Sequence, residues 1–207
     1  MAATDSVTAI AAKEAAKQRV AALAFWSIIV ACIVLALKLA AWYVTGSVAL
    51  YSDALESIVN VIASAAAYWA IQVSYKPADQ DHPFGHHKAE YFSAVLEGVL
   101  IVVAALLILN EVWRSWQTPT LLEQPWEGLG INGVATAINA FWAWTLIRAG
   151  RAAKSPALVA DGKHIMTDVV TSVGVFGGLV GAILTGWQIL DPALAVIVAL
   201  NILWQGW

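Results

Sequence analysis

Six apolar stretches constrain this chain more than any other feature. A helix needs about 20 predominantly apolar residues to cross a bilayer. Runs of that order occur at Ala24–Tyr43, Val48–Ile71, Tyr91–Trp113, Leu129–Ile147, Leu158–Thr185 and Pro192–Trp207, the last of them short. Backbone N–H and C=O groups in hydrocarbon must find partners within the protein, and a helix satisfies them inside its own segment. The expectation is an all-α polytopic membrane protein with six transmembrane helices. Charge is correspondingly scarce: 12% of the residues are charged, where a soluble domain has about 25%. The eleven tryptophans suit a membrane protein, because Trp gathers at the bilayer interfaces.

The remaining composition narrows the function by exclusion. A net charge of −3 gives nucleic acid no electrostatic foothold. The single cysteine, Cys32, cannot form an intrachain disulfide. The first span is too long for a signal-peptide core and follows some twenty residues of mixed charge, so it is expected to stay. Residues 1–22 read as a cytoplasmic N-terminal segment, with a short amphipathic helix over Thr4–Val20, and residues 23–207 as the six-helix transmembrane domain.

Basic residues alternate between loops. Lys13, Lys17 and Arg19 precede span one, Lys76 and Lys88 lie between spans two and three, Arg148, Arg151 and Lys154 follow span four, and Lys163 lies near the start of span five. The opposite side carries Arg114, with Glu123 and Glu127 nearby. The positive-inside rule therefore assigns both termini to the cytoplasm. Lys38 falls inside span one, where it is expected to snorkel or pair.

The two halves of the chain resemble each other. Residues 47–64 read SVALYSDALESIVNVIAS and residues 155–172 read SPALVADGKHIMTDVVTS. Ser47, Ala49, Leu50, Asp53 and Ser64 recur as Ser155, Ala157, Leu158, Asp161 and Ser172, while Glu56 and Asn60 stand opposite His164 and Asp168. Spans two and five run in opposite directions, so the pattern predicts a three-plus-three inverted repeat. Transporters commonly place a substrate site near the midplane at such a repeat interface.

The polar residues of the repeat carry the chemistry. Glu56 and Asn60 share one face of span two, and His164 and Asp168 share one face of span five. An ionisable group deep in a bilayer costs at least about 2.5 kcal/mol on insertion scales. Convergence on a cation offsets that cost, and an imidazole, two carboxylates and an amide oxygen make a four-ligand N/O site suited to tetrahedral zinc. Imidazole favours Zn, Co, Ni, Fe or Cu over Mg and Ca, and with no thiolate nearby Cu(I) is disfavoured. The alternative is a hydrogen-bond network that only holds two helices together. A second cluster, PADQDHPFGHHK over residues 77–88, offers His82, His86 and a carboxylate for a second cytoplasmic site, or forms an ordinary solvated loop.

Three pieces, SDALESIVNVIAS, DHPFGHHKAEY and ADGKHIMTD, resemble the cation diffusion facilitator family, and the resemblance covers nearly the whole chain. It implies a homodimer in the membrane, in bacteria the inner membrane, that exchanges cytoplasmic Zn²⁺ or a related ion for protons. It also implies a main metal site at Glu56, Asn60, His164 and Asp168 and a loop site at Asp79, His82 and His86. The family usually has His or Asp, then Asp, where this chain has Glu56 and Asn60, so Cd²⁺, Fe²⁺, Co²⁺, Ni²⁺ and Mn²⁺ stay open as cargo. Members usually continue into a cytoplasmic metal-binding domain after span six, whereas this sequence stops at Trp207. A non-enzymatic metal/proton antiporter is the leading expectation. An intramembrane metalloenzyme, with Asp53 or Asp161 as base, and a scaffold or sensor that has lost transport are the alternatives.

Overall fold

A computed structural model describes residues 2–74, 76, 79, 83, 85, 86, 88–117, 123–153, 156–187 and 189–206. It contains six helices: α1 (Ala2–Thr45), α2 (Val48–Ser74), α3 (Lys88–Gln117), α4 (Pro125–Ala152), α5 (Pro156–Thr185) and α6 (Leu190–Gly206). No strand occurs among the described residues, so the chain is the all-α, six-helix membrane protein that its apolar runs require. Four segments are long and apolar enough to cross a membrane outright: Gln18–Thr45, Val48–Ala70, Gly98–Gln117 and Leu158–Thr185. The apolar part of α6, Leu190–Trp204, is shorter. Helix α4 is long enough, but Asn132, Asn139, Thr136 and Thr145 dilute its hydropathy.

The first 45 residues differ from expectation. In place of a short amphipathic helix leading into a span, α1 is one uninterrupted helix of 44 residues. The physical reason is local: no Gly or Pro occurs before Gly46, so nothing breaks the hydrogen-bond ladder. Gly46 then ends it in the left-handed region, with φ 66° and its N–H on the Trp42 carbonyl at 2.8 Å, as helix C-termini commonly do.

Each helix packs on its counterpart in the other half, α1 on α4, α2 on α5 and α3 on α6. That is the contact pattern expected of a three-plus-three repeat. Two apolar cores hold the bundle. One joins α2, α3 and α6 through residues such as Leu55, Ile101, Ile108, Ala199 and Ile202. The other, of Ala41, Ala49, Leu50, Leu129, Val175 and Leu179, closes the end of the bundle where α1 turns into α2. Small residues bring α4 and α5 together, in the manner of membrane helices. A Cβ on Gly162 would lie 3.0 Å from the Ala143 carbonyl oxygen, and one on Gly150 would lie 2.9 Å from the Val159 backbone N. This close approach fixes the rotation of α5 that points Asp161, His164 and Asp168 inward.

The end closed by the second core is also capped. Asp191, at the start of α6, accepts hydrogen bonds from the Ser47 hydroxyl and from the backbone N–H groups of Val48 (2.8 Å) and Ala49 (3.1 Å). The carboxylate satisfies donors that the first turn of α2 leaves unpaired and complements the positive end of its dipole.

Candidate metal site

Polar residues of α1, α2, α4 and α5 form a ladder through the bundle, and the pairing of α2 with α5 is antiparallel. Asp53 meets Ser172, while Asn60 meets both Asp168 and His164. From Asp53 to Ser64 the ladder covers about 16 Å at 1.5 Å per residue, roughly half the hydrocarbon thickness.

The middle of the ladder holds the residues expected from sequence. Asn60 is the bridge: its Nδ2 donates to Asp168 Oδ2, and its Oδ1 lies 3.1 Å from His164 Nε2. Asp168 is buried, and its other oxygen has no partner. Glu56 is buried one turn away on α2, with neither carboxylate oxygen hydrogen-bonded. It stands within electrostatic reach of Asp168, Asp53 and Lys38. Among the described residues no three His, Cys, Asp or Glu side chains converge as a ready-made metal site. His164 and Asp168 are joined through an amide, with Glu56 set back from them. Buried carboxylate oxygens without a donor are costly, and a divalent cation is the group that three such oxygens, an imidazole and an amide oxygen would satisfy.

Next to this layer, toward the capped end, lies a buried ion pair. Lys38 Nζ lies 2.7 Å from Asp53 Oδ1 and donates to the Ser172 hydroxyl at 3.1 Å, while that hydroxyl donates to the same Asp53 oxygen at 2.8 Å. The expectation that Lys38 snorkels or pairs resolves to pairing. Asp53 and Lys38 are 0% and 1% exposed, so water does not share the load. Counting Lys38, Asp53, Glu56 and Asp168 as charged, this layer and the adjoining ion pair together sum to −2, the charge that a divalent ion would neutralise.

On the other side of Asp168 a cavity opens between α1, α2, α4 and α5, its walls including Ser27, Asn60, Asn139, Asp161, His164 and Asp168. The cavity has a volume of about 20 Å³. That is room for a water or a bare ion. Ser27, Trp142 and Asn139 were not singled out by sequence. Nothing in the apolar run AFWSIIVA marks its lone Ser27 as facing Asp161, 134 residues away.

The loop cluster is partly placed. His86 Nε2 and Asp79 Oδ2 are 3.4 Å apart, with Asp79 half exposed. His82 lies outside the described residues.

A six-helix bundle with repeat-related helices crossing at a buried N/O site has the architecture of a membrane cation carrier. Residues 24–207 match the model of the cation efflux transmembrane domain, and the chain belongs to that family. It is 49% identical over 170 residues to an uncharacterized transporter of Synechocystis sp., covering 82% of this chain and 55% of that protein. It is 30% identical over 182 residues to the cation-efflux pump FieF of Serratia proteamaculans (84% and 58%) and 29% identical over 181 residues to that of Citrobacter koseri (86% and 59%). The chain thus spans less than two thirds of the length of these relatives.

Proposed function

We propose that this chain carries a divalent metal ion, zinc before its neighbours, out of the cytoplasm in exchange for protons, acting as a carrier and not as an enzyme, in a homodimer. The observation that carries the reading is the meeting of Asn60, His164 and Asp168 halfway through two antiparallel helices, beside a Glu56 whose oxygens have no partner. One imidazole nitrogen among oxygen donors favours zinc and its transition-metal neighbours over Mg²⁺ and Ca²⁺. The repeat supports transport over hydrolysis, because alternating access uses two similar halves. Asp79 and His86, with His82, form a further cytoplasmic site in this reading.

The test is reconstitution in liposomes that enclose a metal-sensitive dye. Zn²⁺ outside should enter at a rate that rises with protein and saturates with metal. Proton coupling follows from ligand chemistry. A ligating His must be neutral and the carboxylates ionised, so loading releases protons and acidification releases metal. Because protons compete with metal for these ligands, affinity should fall as pH drops from 7.5 to 5.5. Acidifying the side where metal is delivered should speed uptake. A rate indifferent to the pH gradient would rule out antiport.

Asn60 sets the charge of the site. With Glu56 and Asp168 ionised and His164 neutral, the four side chains sum to −2. Asn60→Asp makes that −3. Even at an effective dielectric of 20, a charge 4 Å from the metal is worth about 4 kcal/mol per unit charge on each partner, opposed by desolvation and by repulsion between carboxylates. The expected outcome is tighter binding at neutral pH and a steeper loss on acidification. Calorimetry at two pH values measures both, and unchanged values would mean that Asn60 does not face the ion.

A further inference from the structure

The cavity extends past the main site, and its far wall has no assigned purpose. Asp161 stands seven residues before Asp168 on α5, about 10 Å along the helix axis, toward the end that the basic loops assign to the cytoplasm. Asp161 and His164 are three apart, so they are neighbours on one helix face. A donor chain prepares Asp161: Trp142 Nε1–H donates to Ser27 Oγ at 2.9 Å, and the Ser27 hydroxyl donates to Asp161 Oδ2 at 2.9 Å. This relay fixes the orientation of the carboxylate. Across the cavity Asn139 of α4 is 8% exposed, lines the space, and makes no hydrogen bond to any described residue.

A helix-to-helix tie would account for Ser27 and Asp161 alone. It accounts for neither the unpartnered amide of Asn139 opposite them nor the choice of a carboxylate, which is expensive at this depth when two hydroxyls would tie the same helices. A carboxylate, an imidazole and an amide oxygen around a cavity sized for an ion or a water are a donor set for a divalent cation.

We propose that Asp161, His164 and Asn139 form a second cation position, a staging site on the cytoplasmic side of the main site, from which His164 passes the ion on to Asp168 and Glu56. This rests on the carrier reading above for its purpose but not for its existence. His164 belongs to both positions, so the ion moves by exchanging partners around one imidazole and is never stripped of protein ligands. Ser27 and Trp142 are positioning residues, acting through Asp161. The apolar core and the Lys38–Asp53 pair close the opposite end, so the staging site lies on the open side of the main site.

The experiment uses the full chain in lipid nanodiscs, carrying Asp79→Ala and His86→Ala so that the loop does not count, and Cd²⁺ as probe. With the main site disabled by Glu56→Gln and Asp168→Asn, one weak Cd²⁺ ion should still bind per chain, and adding Asp161→Asn should abolish it. In the chain with an intact main site, Asp161→Asn should slow Cd²⁺ association about tenfold, the low end of what a charged cleft adds to an on-rate. Asparagine can still accept the Ser27 hydrogen bond, so folding is preserved, and a monodisperse elution profile checks it. The staging site is overturned if the disabled chain binds no Cd²⁺, if the ion persists after Asp161→Asn, or if association is unchanged. Liposome uptake keeps the two readings apart. A wild-type chain that transports nothing but retains the Asp161-dependent ion would sink the carrier and leave the staging site standing.

Discussion

If the chain is the carrier proposed above, Asp168→Asn should abolish metal uptake while leaving it folded. The substitution removes one negative charge and preserves shape, and the new amide can still meet Asn60 across the α2–α5 contact. If Asp168 served only to hold the helices together, the variant would retain most of its activity. As a ligand it cannot be replaced: even groups that merely orient a metal ligand are worth about 10–100-fold in affinity or activity, so loss of the ligand itself should exceed 100-fold. His164→Ala should match it, because the imidazole is the nitrogen donor joined to Asn60 at 3.1 Å. Dye-reported uptake into liposomes, with each variant checked for insertion and monodispersity, decides the matter. Wild-type uptake by either variant would remove the α2–α5 site from the mechanism.

The residues that the sequence makes conspicuous are those that break a strong local rule. Glu56, Asn60, His164 and Asp168 interrupt apolar helices at four-residue spacing, and the 108-residue offset aligns them, so their faces can be paired without coordinates. Helix content is legible for the same reason, since hydrocarbon leaves the backbone few choices. What sequence does not carry is rotation and distance. Glu56 reads as an equal member of the site, yet it sits a turn back with its oxygens unpartnered. Ser27, Asn139 and Trp142 break no rule, because a serine, an asparagine or a tryptophan in a membrane helix is ordinary. Their role emerges only once Gly150 and Gly162 let α4 and α5 approach and α1 lies alongside α4. The continuity of α1 was legible in principle from the absence of Gly and Pro, but the change from mixed charge to apolar residues near position 20 suggested a boundary that the backbone ignores.

Lys38 breaks a rule as plainly as the site residues do, and its removal should have the largest structural effect of any substitution in the chain. The ammonium is 2.7 Å from Asp53, both side chains are sealed from solvent, and Ser172 hydrogen-bonds to both. Asp53 Oδ2 already lacks a partner. Lys38→Met would leave the whole carboxylate uncompensated, and breaking a buried pair from one side costs on the order of 3–5 kcal/mol. Replacing both partners with apolar groups removes the orphaned charge, so Lys38→Met combined with Asp53→Leu should recover most of that loss, and the two substitutions should be strongly non-additive. The same pair also balances the site. Without Lys38 the buried carboxylates of Asp53, Glu56 and Asp168 sum to −3, so added Zn²⁺ should raise the melting temperature of Lys38→Met more than that of the wild type, by mass action on the folded state. Thermal unfolding of the wild type, both single variants and the double variant in nanodiscs, with and without metal, measures both effects. Equal stability of wild type and Lys38→Met would show that the pair is not the closure between the metal layer and the capped end of the bundle. A double variant no better than the single would show that Lys38 acts through something other than the charge of Asp53.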